Sequence, residues 1–141
     1  MNKQTIGYWV TTALVVFVFL AGGVFDLIRP PQLVETMQHL GYATYVAVIL
    51  GAWKVAGAVV IVAPRLPLLK EWAYAGMVFD LTGAALSHRA VGDPASAVAT
   101  PIIILSLVAA SWFLRPASRR LSETATLSLA GNRRANQTVH A

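Results

Sequence analysis

The sequence predicts an all-α integral membrane protein: a four-helix transmembrane bundle with a short interfacial helix between its first and second spans and a polar C-terminal tail. Composition is the first observation, since 57% of the 141 residues are hydrophobic and only 12% are charged. A soluble domain usually carries about 25% charged residues. The second observation is that the apolar residues form four long runs, each near the length of about 20 residues that a membrane-spanning helix needs.

The four runs cover residues 6–25, 43–63, 72–88 and 95–114. The first contains no charge, the second contains Lys54 and the third contains Asp80. Between the first two runs, RPPQLVETMQHLGY predicts a short amphipathic helix that begins at Pro30-Pro31 and ends at Gly41. This helix is too short to cross a membrane, and we expect it to lie in the interface.

The distribution of positive charge predicts an orientation. Eight Lys and Arg residues fall on the side of the N-terminus, the second connection and the tail, and two, Arg29 and Arg89, fall on the other side. By the positive-inside rule both termini are cytoplasmic. The four spans form one domain over residues 1–115, and residues 116–141 are predicted to be a basic, disordered cytoplasmic tail. The basic residues are scattered between apolar runs, so we expect membrane lipid as a partner and no nucleic acid.

Two charges inside the runs are candidates for chemistry. Lys54 and Asp80 each lie thirteen residues from Pro67 in the tight second connection, which places them at equal depth in an antiparallel pair of helices. An isolated charge there costs at least about 2.5–3.5 kcal/mol, so we expect the two side chains to pair. The pair is a candidate acid/base site, with the alternative that it only fixes packing and register.

Small residues at helical spacing accompany both charges. The stripe in the second run is Ala47, Gly51, Lys54 and Ala58. The stripe in the third run is Gly76, Asp80, Gly83 and Ser87. Small residues let helix backbones approach closely in membranes, so we expect these stripes to face each other.

A second polar group is predicted toward the outer side. Asp26 ends the first run, and Glu35 and His39 lie four apart on one face of the interfacial helix. This outer polar cluster is a candidate for proton transfer, with headgroup-level polarity as the alternative. The sequence has no zinc-binding spacing, no matched pair of intramembrane histidines and no cysteine. We therefore expect neither a metal nor a haem, and no catalysis by thiols.

Aromatic residues flank the charged pair. Trp53 and Phe79 are its nearest neighbours in the sequence and are candidates to line a pocket for a flat ligand, although packing against lipid explains them equally well. The candidate ligand-binding residues are Trp53, Trp72, Tyr74, Phe79, Ser87 and His88.

The segment LGAWKVAGAVVIVAPRLPLLKEWAYAGMVFDLTGAALSH resembles the centre of the DoxX-like proteins, which are small bacterial four-helix membrane proteins. GGVFDLIRPPQLVETMQHLGY resembles their first connection, although such proteins often carry a lysine where residues 26–29 stand here. The resemblance covers roughly residues 7–115. The positions that match the family pattern are Gly51, Lys54, Gly57, Glu71, Trp72, Tyr74, Gly76, Asp80, Gly83 and His88.

The resemblance implies a protein of the bacterial inner membrane. Proteins of the wider DoxX group are linked to a thiosulfate:quinone oxidoreductase and to membrane-associated oxidoreductase assemblies. The resemblance therefore implies that this protein is a membrane subunit or anchor of a quinone-linked redox system, with a quinone as cofactor and a soluble oxidoreductase as partner. Two alternatives stay open: an intramembrane acid/base enzyme, such as an isomerase or an epoxide-opening enzyme, on a lipophilic small molecule, and a structural scaffold. A homo-oligomer is compatible with each.

Overall fold

The computed structural model describes residues 2–121, and this part of the chain contains five α-helices and no strand. The helices are α1 (Lys3–Ile28), α2 (Pro31–His39), α3 (Tyr45–Val62), α4 (Pro67–Ala90) and α5 (Ala95–Phe113), followed by a 3-10 turn at Ala117–Arg119. The predicted all-α class is confirmed. The disorder predicted for the tail falls mostly on residues 122–141, which lie outside the described residues.

The four long helices lie side by side, and each packs against two others. α1 contacts α3 and α5, and α4 contacts the same two helices. Within the described residues, α1, α3 and α5 are long and apolar enough to cross a membrane. α4 is of similar length but carries four charged residues, Lys70, Glu71, Asp80 and Arg89, and is not among them. The fourth predicted span therefore stays a prediction.

The short helix α2 lies where the sequence predicts it and has one buried side chain, Met37. Gly41 ends it, since this residue has a positive φ of 81° that side chains with a Cβ rarely adopt. The chain then reverses, and the backbone N–H of Tyr42 donates to the carbonyl of Met37 at 2.8 Å. Two prolines at its start and a glycine after its end are sufficient to delimit this helix.

The interior combines an apolar cluster with one row of hydrogen-bonded hydroxyl groups. The buried residues of the apolar cluster are Val15, Phe19, Ala58, Ile61, Tyr74, Met77, Leu81 and Val108. Beside them the hydroxyl of Ser111 lies 2.7 Å from those of both Thr12 and Tyr74, which joins α1, α4 and α5. All three hydroxyls have partners, so this buried row stabilises the packing without leaving an unsatisfied group.

The connection between α3 and α4 is held by a buried lysine. Lys70 is 1% exposed, and its ammonium donates to the carbonyls of Val60 at 2.7 Å, Ile61 at 3.2 Å and Ala63. These carbonyls belong to the C-terminal turn of α3, where the helix dipole favours a cation. Lys70 therefore fixes the geometry of the connection that positions α3 and α4 relative to each other.

Candidate functional site

A groove of about 470 Å³ lies between α3 and α4. Its inner wall carries Lys54 and Asp80, and the rings of Trp53, Trp72 and Phe79 stand around it. These three rings are 72%, 66% and 75% exposed, so the groove opens sideways, on the outer surface of the helices. Apolar lining with a few convergent polar groups is typical of small-molecule sites, and the volume falls within their usual range of about 300–1,000 Å³.

Lys54 contacts two carboxylates, one more than the sequence predicts. Its Nζ donates to Asp26 Oδ2 at 2.8 Å and lies 3.7 Å from Asp80 Oδ2. The side chains of Lys54, Asp26 and Asp80 are 22%, 10% and 17% exposed, respectively. We call these three residues the charged triad. They come from α3, α1 and α4, so the triad joins three helices at one level.

The closest approach of two helices explains why Asp26 reaches Lys54. A Cβ added to Gly51 would lie 2.7 Å from the carbonyl oxygen of Gly23 and 2.9 Å from the Cβ of Asp26. Only glycines allow the backbones of α1 and α3 to be this close. Gly51 therefore packs against α1, and the predicted packing of its stripe against the third run is wrong at this position.

Gly76 and Gly83 of the other stripe have open space where a Cβ would be. Gly76 lines the groove, and its missing side chain leaves room there. The predicted close approach of the two stripes is thus replaced by a groove between α3 and α4.

Sequence reasoning grouped Asp26 with the outer polar cluster because it follows the first apolar run. α1 continues as a helix to Ile28, and Asp26 continues its buried face. That face is formed by Tyr8, Thr12, Val15, Phe19, Gly23 and Asp26, at spacings of three and four residues. This spacing was the signal that could have placed Asp26 inside.

The other members of the outer polar cluster do not meet Asp26. His39 Nε2 lies 2.7 Å from Asp93 Oδ1, and His88 Nδ1 lies 2.6 Å from Asp93 Oδ2. Hydrogen bonds from His88 and then from His39 hold the pKa of Asp93 below its usual value of 3.8. Glu35 is exposed on α2, and no ion pair of Glu35 occurs within residues 2–121. We call His39, His88 and Asp93 the histidine clamp, because it ties α2 to the end of α4.

Three of the six candidate ligand-binding residues line the groove, and three lie elsewhere. Tyr74 is 3% exposed and bonds to Ser111 in the interior. Ser87 shares a hydrogen bond of 2.8 Å with Tyr42, and His88 belongs to the histidine clamp. All three lie on α4: Tyr74 faces the interior, and Ser87 and His88 lie beyond the groove, near the C-terminal end of the helix.

The hairpin end of the molecule is strongly basic. Arg115 is paired with Glu71 at 2.7 Å, and the indole N–H of Trp112 donates to the same carboxylate at 2.9 Å. Arg119 donates to the carbonyl of Val62 at 3.3 Å and stacks 4.7 Å from the ring centre of Trp9. The residues after α5 therefore pack back onto the helix ends, up to the last described residue.

Within residues 2–121, no group of three or more histidine, aspartate and glutamate side chains is placed to hold a metal ion. The histidine clamp uses both oxygens of Asp93 for hydrogen bonds to the two imidazoles. Two members of the charged triad, Lys54 and Asp80, line the groove.

Fold and site together define an α-helical membrane protein with an ion-paired polar site and a lateral groove. The chain belongs to the DoxX-like family, whose profile matches residues 10–111. This span includes all five helices except the first turns of α1 and the last residues of α5. Comparisons with curated proteins and with solved structures found no match.

Proposed function

We propose that the protein is a membrane subunit or anchor of a quinone-linked oxidoreductase system that holds the quinone in the groove between α3 and α4. The observation that carries the proposal is the combination of Lys54, Asp80 and three exposed aromatic rings in one laterally open groove. A flat ring stacks on aromatic side chains, and a carbonyl oxygen accepts a hydrogen bond from an ammonium. A quinone has both features and is soluble in the lipid from which the groove opens.

The redox part of this function is assigned to a partner. The 141 residues contain no cysteine, and no metal-binding group occurs within the described residues. Electrons would therefore come from a soluble oxidoreductase that docks on the membrane surface, while this chain binds and orients the quinone. Lys54 would polarise one quinone carbonyl, since a positive charge close to that oxygen stabilises the negative charge that reduction brings.

The proposed membrane placement has four spans, α1, α3, α4 and α5, with α2 in the interface and both termini in the cytoplasm of a bacterial cell. Supporting it, the hairpin end carries Arg65, Lys70, Arg115 and Arg119, whereas the opposite end carries the histidine clamp. The groove runs from the charged triad toward Trp72 near the hairpin end. In this placement a ligand enters from the cytoplasmic leaflet of the inner membrane.

Binding can be tested with decylubiquinone and the purified protein in lipid nanodiscs. Two tryptophans line the groove, so bound quinone should quench a saturable part of the tryptophan fluorescence. Phe79→Leu should weaken binding, because Phe79 lines the groove and is 75% exposed. Phe17→Leu is the matched control, since Phe17 is 70% exposed on α1 and does not line it. Equal, unsaturable quenching in both variants would refute quinone binding.

An acid/base enzyme acting on another lipophilic molecule is the second candidate. It is favoured by the amine of Lys54 and the carboxyl of Asp80, which line the same apolar groove and could act there as a general acid and a general base. Mass spectrometry of lipids that co-purify with the protein separates the two candidates. A quinone at near one equivalent supports the first, and a terpenoid or sterol-like compound supports the second.

The scaffold alternative makes a third outcome. Here the ion pairs only hold α1, α3 and α4 together, and no lipid would be enriched over the surrounding membrane. A Lys54→Met, Asp80→Leu protein that stays folded and leaves the cellular phenotype unchanged would refute both chemical functions.

A further inference from the structure

We propose that the two carboxyl groups of the charged triad have different tasks: Asp26 is the fixed counter-ion that positions Lys54, and Asp80 carries an exchangeable proton and donates a hydrogen bond to the ligand's carbonyl oxygen. This inference rests on the proposed function, because it names the groups that recognise the quinone. It gives the groove two donors, the ammonium of Lys54 and the acid of Asp80.

The geometry separates the two carboxyls. Asp26 accepts a hydrogen bond from Lys54 at 2.8 Å, whereas the oxygen of Asp80 closest to the ammonium is at 3.7 Å, beyond a hydrogen bond. Asp80 lines the groove and Asp26 does not. A ligand in the groove can therefore reach Asp80 and Lys54 but not Asp26.

Asp26 is also the more enclosed of the two. Its Cβ packs against the backbone of α3, at the crossing where Gly23 and Gly51 leave no space for a side chain. Asp26 therefore lies within the tight contact between α1 and α3, where its side chain is 10% exposed. Asp80 lines the groove beside Gly76, and a Cβ added to Gly76 would meet open space.

The charge count then requires one proton. One ammonium and two carboxylates leave an excess negative charge, and an uncompensated charge in an apolar interior is strongly unfavourable. Within residues 2–121, no second cationic side chain lies within 4.0 Å of either carboxyl. A single proton neutralises the triad, and it belongs on the carboxyl that is farther from the ammonium, which is Asp80.

Infrared spectroscopy of the protein in nanodiscs tests the charge assignment without any ligand. We expect one carboxylic-acid C=O band from the triad, which Asp80→Asn removes. Asp26→Asn should remove it as well, because Asp80 then becomes the sole counter-ion of Lys54 and ionises. Lys54→Met should add a second acid band. Asp93→Asn is the control, since its carboxyl belongs to the histidine clamp and should leave the band unchanged.

Quinone binding gives an independent readout, in which Asp26→Asn should lose more affinity than Asp80→Asn. Asp80→Asn should change the affinity for decylubiquinone by no more than about threefold, because the amide N–H still donates to the carbonyl. Asp26→Asn should weaken it by about tenfold or more, although Asp26 lies outside the groove, because Asp80 turns from a donor into a carboxylate that repels the carbonyl oxygen. Asp80→Leu should weaken it to a similar degree.

Two results would overturn the assignment: an acid band that survives Asp80→Asn, or an Asp26→Asn protein that keeps both the band and the affinity. If no quinone binds saturably, the proposed function fails, and the infrared measurement still decides which carboxyl holds the proton. Circular dichroism of each variant before and after heating verifies that the helices remain folded, so that a lost band is not a lost fold.

Discussion

The contact between α1 and α3 and the contact between α3 and α4 are both rich in small residues, but they differ in what those residues do. At the first, Gly23 and Gly51 bring two backbones together until no Cβ fits. At the second, Gly76 faces open space and leaves room for a groove. A small residue therefore makes a tight contact only where an opposing surface fills its space, and elsewhere it makes a cavity.

The charged triad lies where these two contacts meet. Lys54 points from α3 toward both, with Asp26 on the tight side and Asp80 on the open side. Because the two contacts differ, the two carboxyls differ as well: Asp26 is enclosed between helices, and Asp80 lines the groove.

Removal of the cation shared by both contacts should have the largest effect. Lys54→Met leaves the Asp26 carboxylate without its counter-ion, and removing one partner of a buried ion pair typically costs about 3–5 kcal/mol. We expect a fall of that order in the free energy of unfolding, measured by steric trapping in nanodiscs. Lys54→Met combined with Asp26→Asn and Asp80→Asn should recover much of the loss. A stability equal to that of the wild-type protein for Lys54→Met alone would show that the pairs carry no energy.

Alanine substitution of one glycine in each contact compares the two directly. Gly51→Ala places a methyl group 2.7 Å from the backbone of α1, and such overpacking costs about 1–3 kcal/mol. Gly76→Ala meets no atom within 4 Å and should be neutral or stabilising, since alanine favours helix by up to about 1 kcal/mol over glycine. Thermal unfolding followed by circular dichroism gives both values. Equal losses would show that the contacts do not differ.

The open contact can be filled without disturbing the tight one. Gly76→Leu directs a large apolar side chain into the groove, where the present glycine leaves space. We expect decylubiquinone binding to weaken by about tenfold, which corresponds to about 1.4 kcal/mol, with little change in the melting temperature. Gly83→Leu is the matched control, because Gly83 is also open but does not line the groove. Equal binding by the two variants would separate the ligand from this groove.

The smallest effect concerns the histidine clamp, which lies away from both contacts. The pKa of Asp93 is below its ordinary 3.8, so its stabilisation is complete above pH 3.8 and is lost as the pH falls through the lowered pKa. We expect the amide exchange of α2, corrected for its intrinsic pH dependence, to rise as the pH falls below about 4. Asp93→Asn should abolish the acid step, and amides of α5 should show none. An acid step that survives in Asp93→Asn would contradict the assignment to Asp93.

The sequence predicted the level at which the charged side chains lie along their helices, but not every side chain that meets them. Its hairpin spacing placed Lys54 and Asp80 at one level, and the structure has them 3.7 Å apart. It also indicated that Trp53 and Phe79 could surround a pocket, and both line the groove. It did not bring Asp26 to Lys54, because a helical repeat identifies a buried face but not the helix on which that face packs.

The all-α class, the bounds of the short helix α2 and the DoxX-like family can be read from the sequence, because proline, glycine, apolar length and local motifs are properties of neighbouring residues. Which helices meet, and how closely, is set by tertiary packing. The close crossing of Gly23 and Gly51, the second carboxyl beside Lys54 and the groove at Gly76 all depend on residues far apart in the chain. Such distances follow from how all the helices fill space together, and no single segment encodes them.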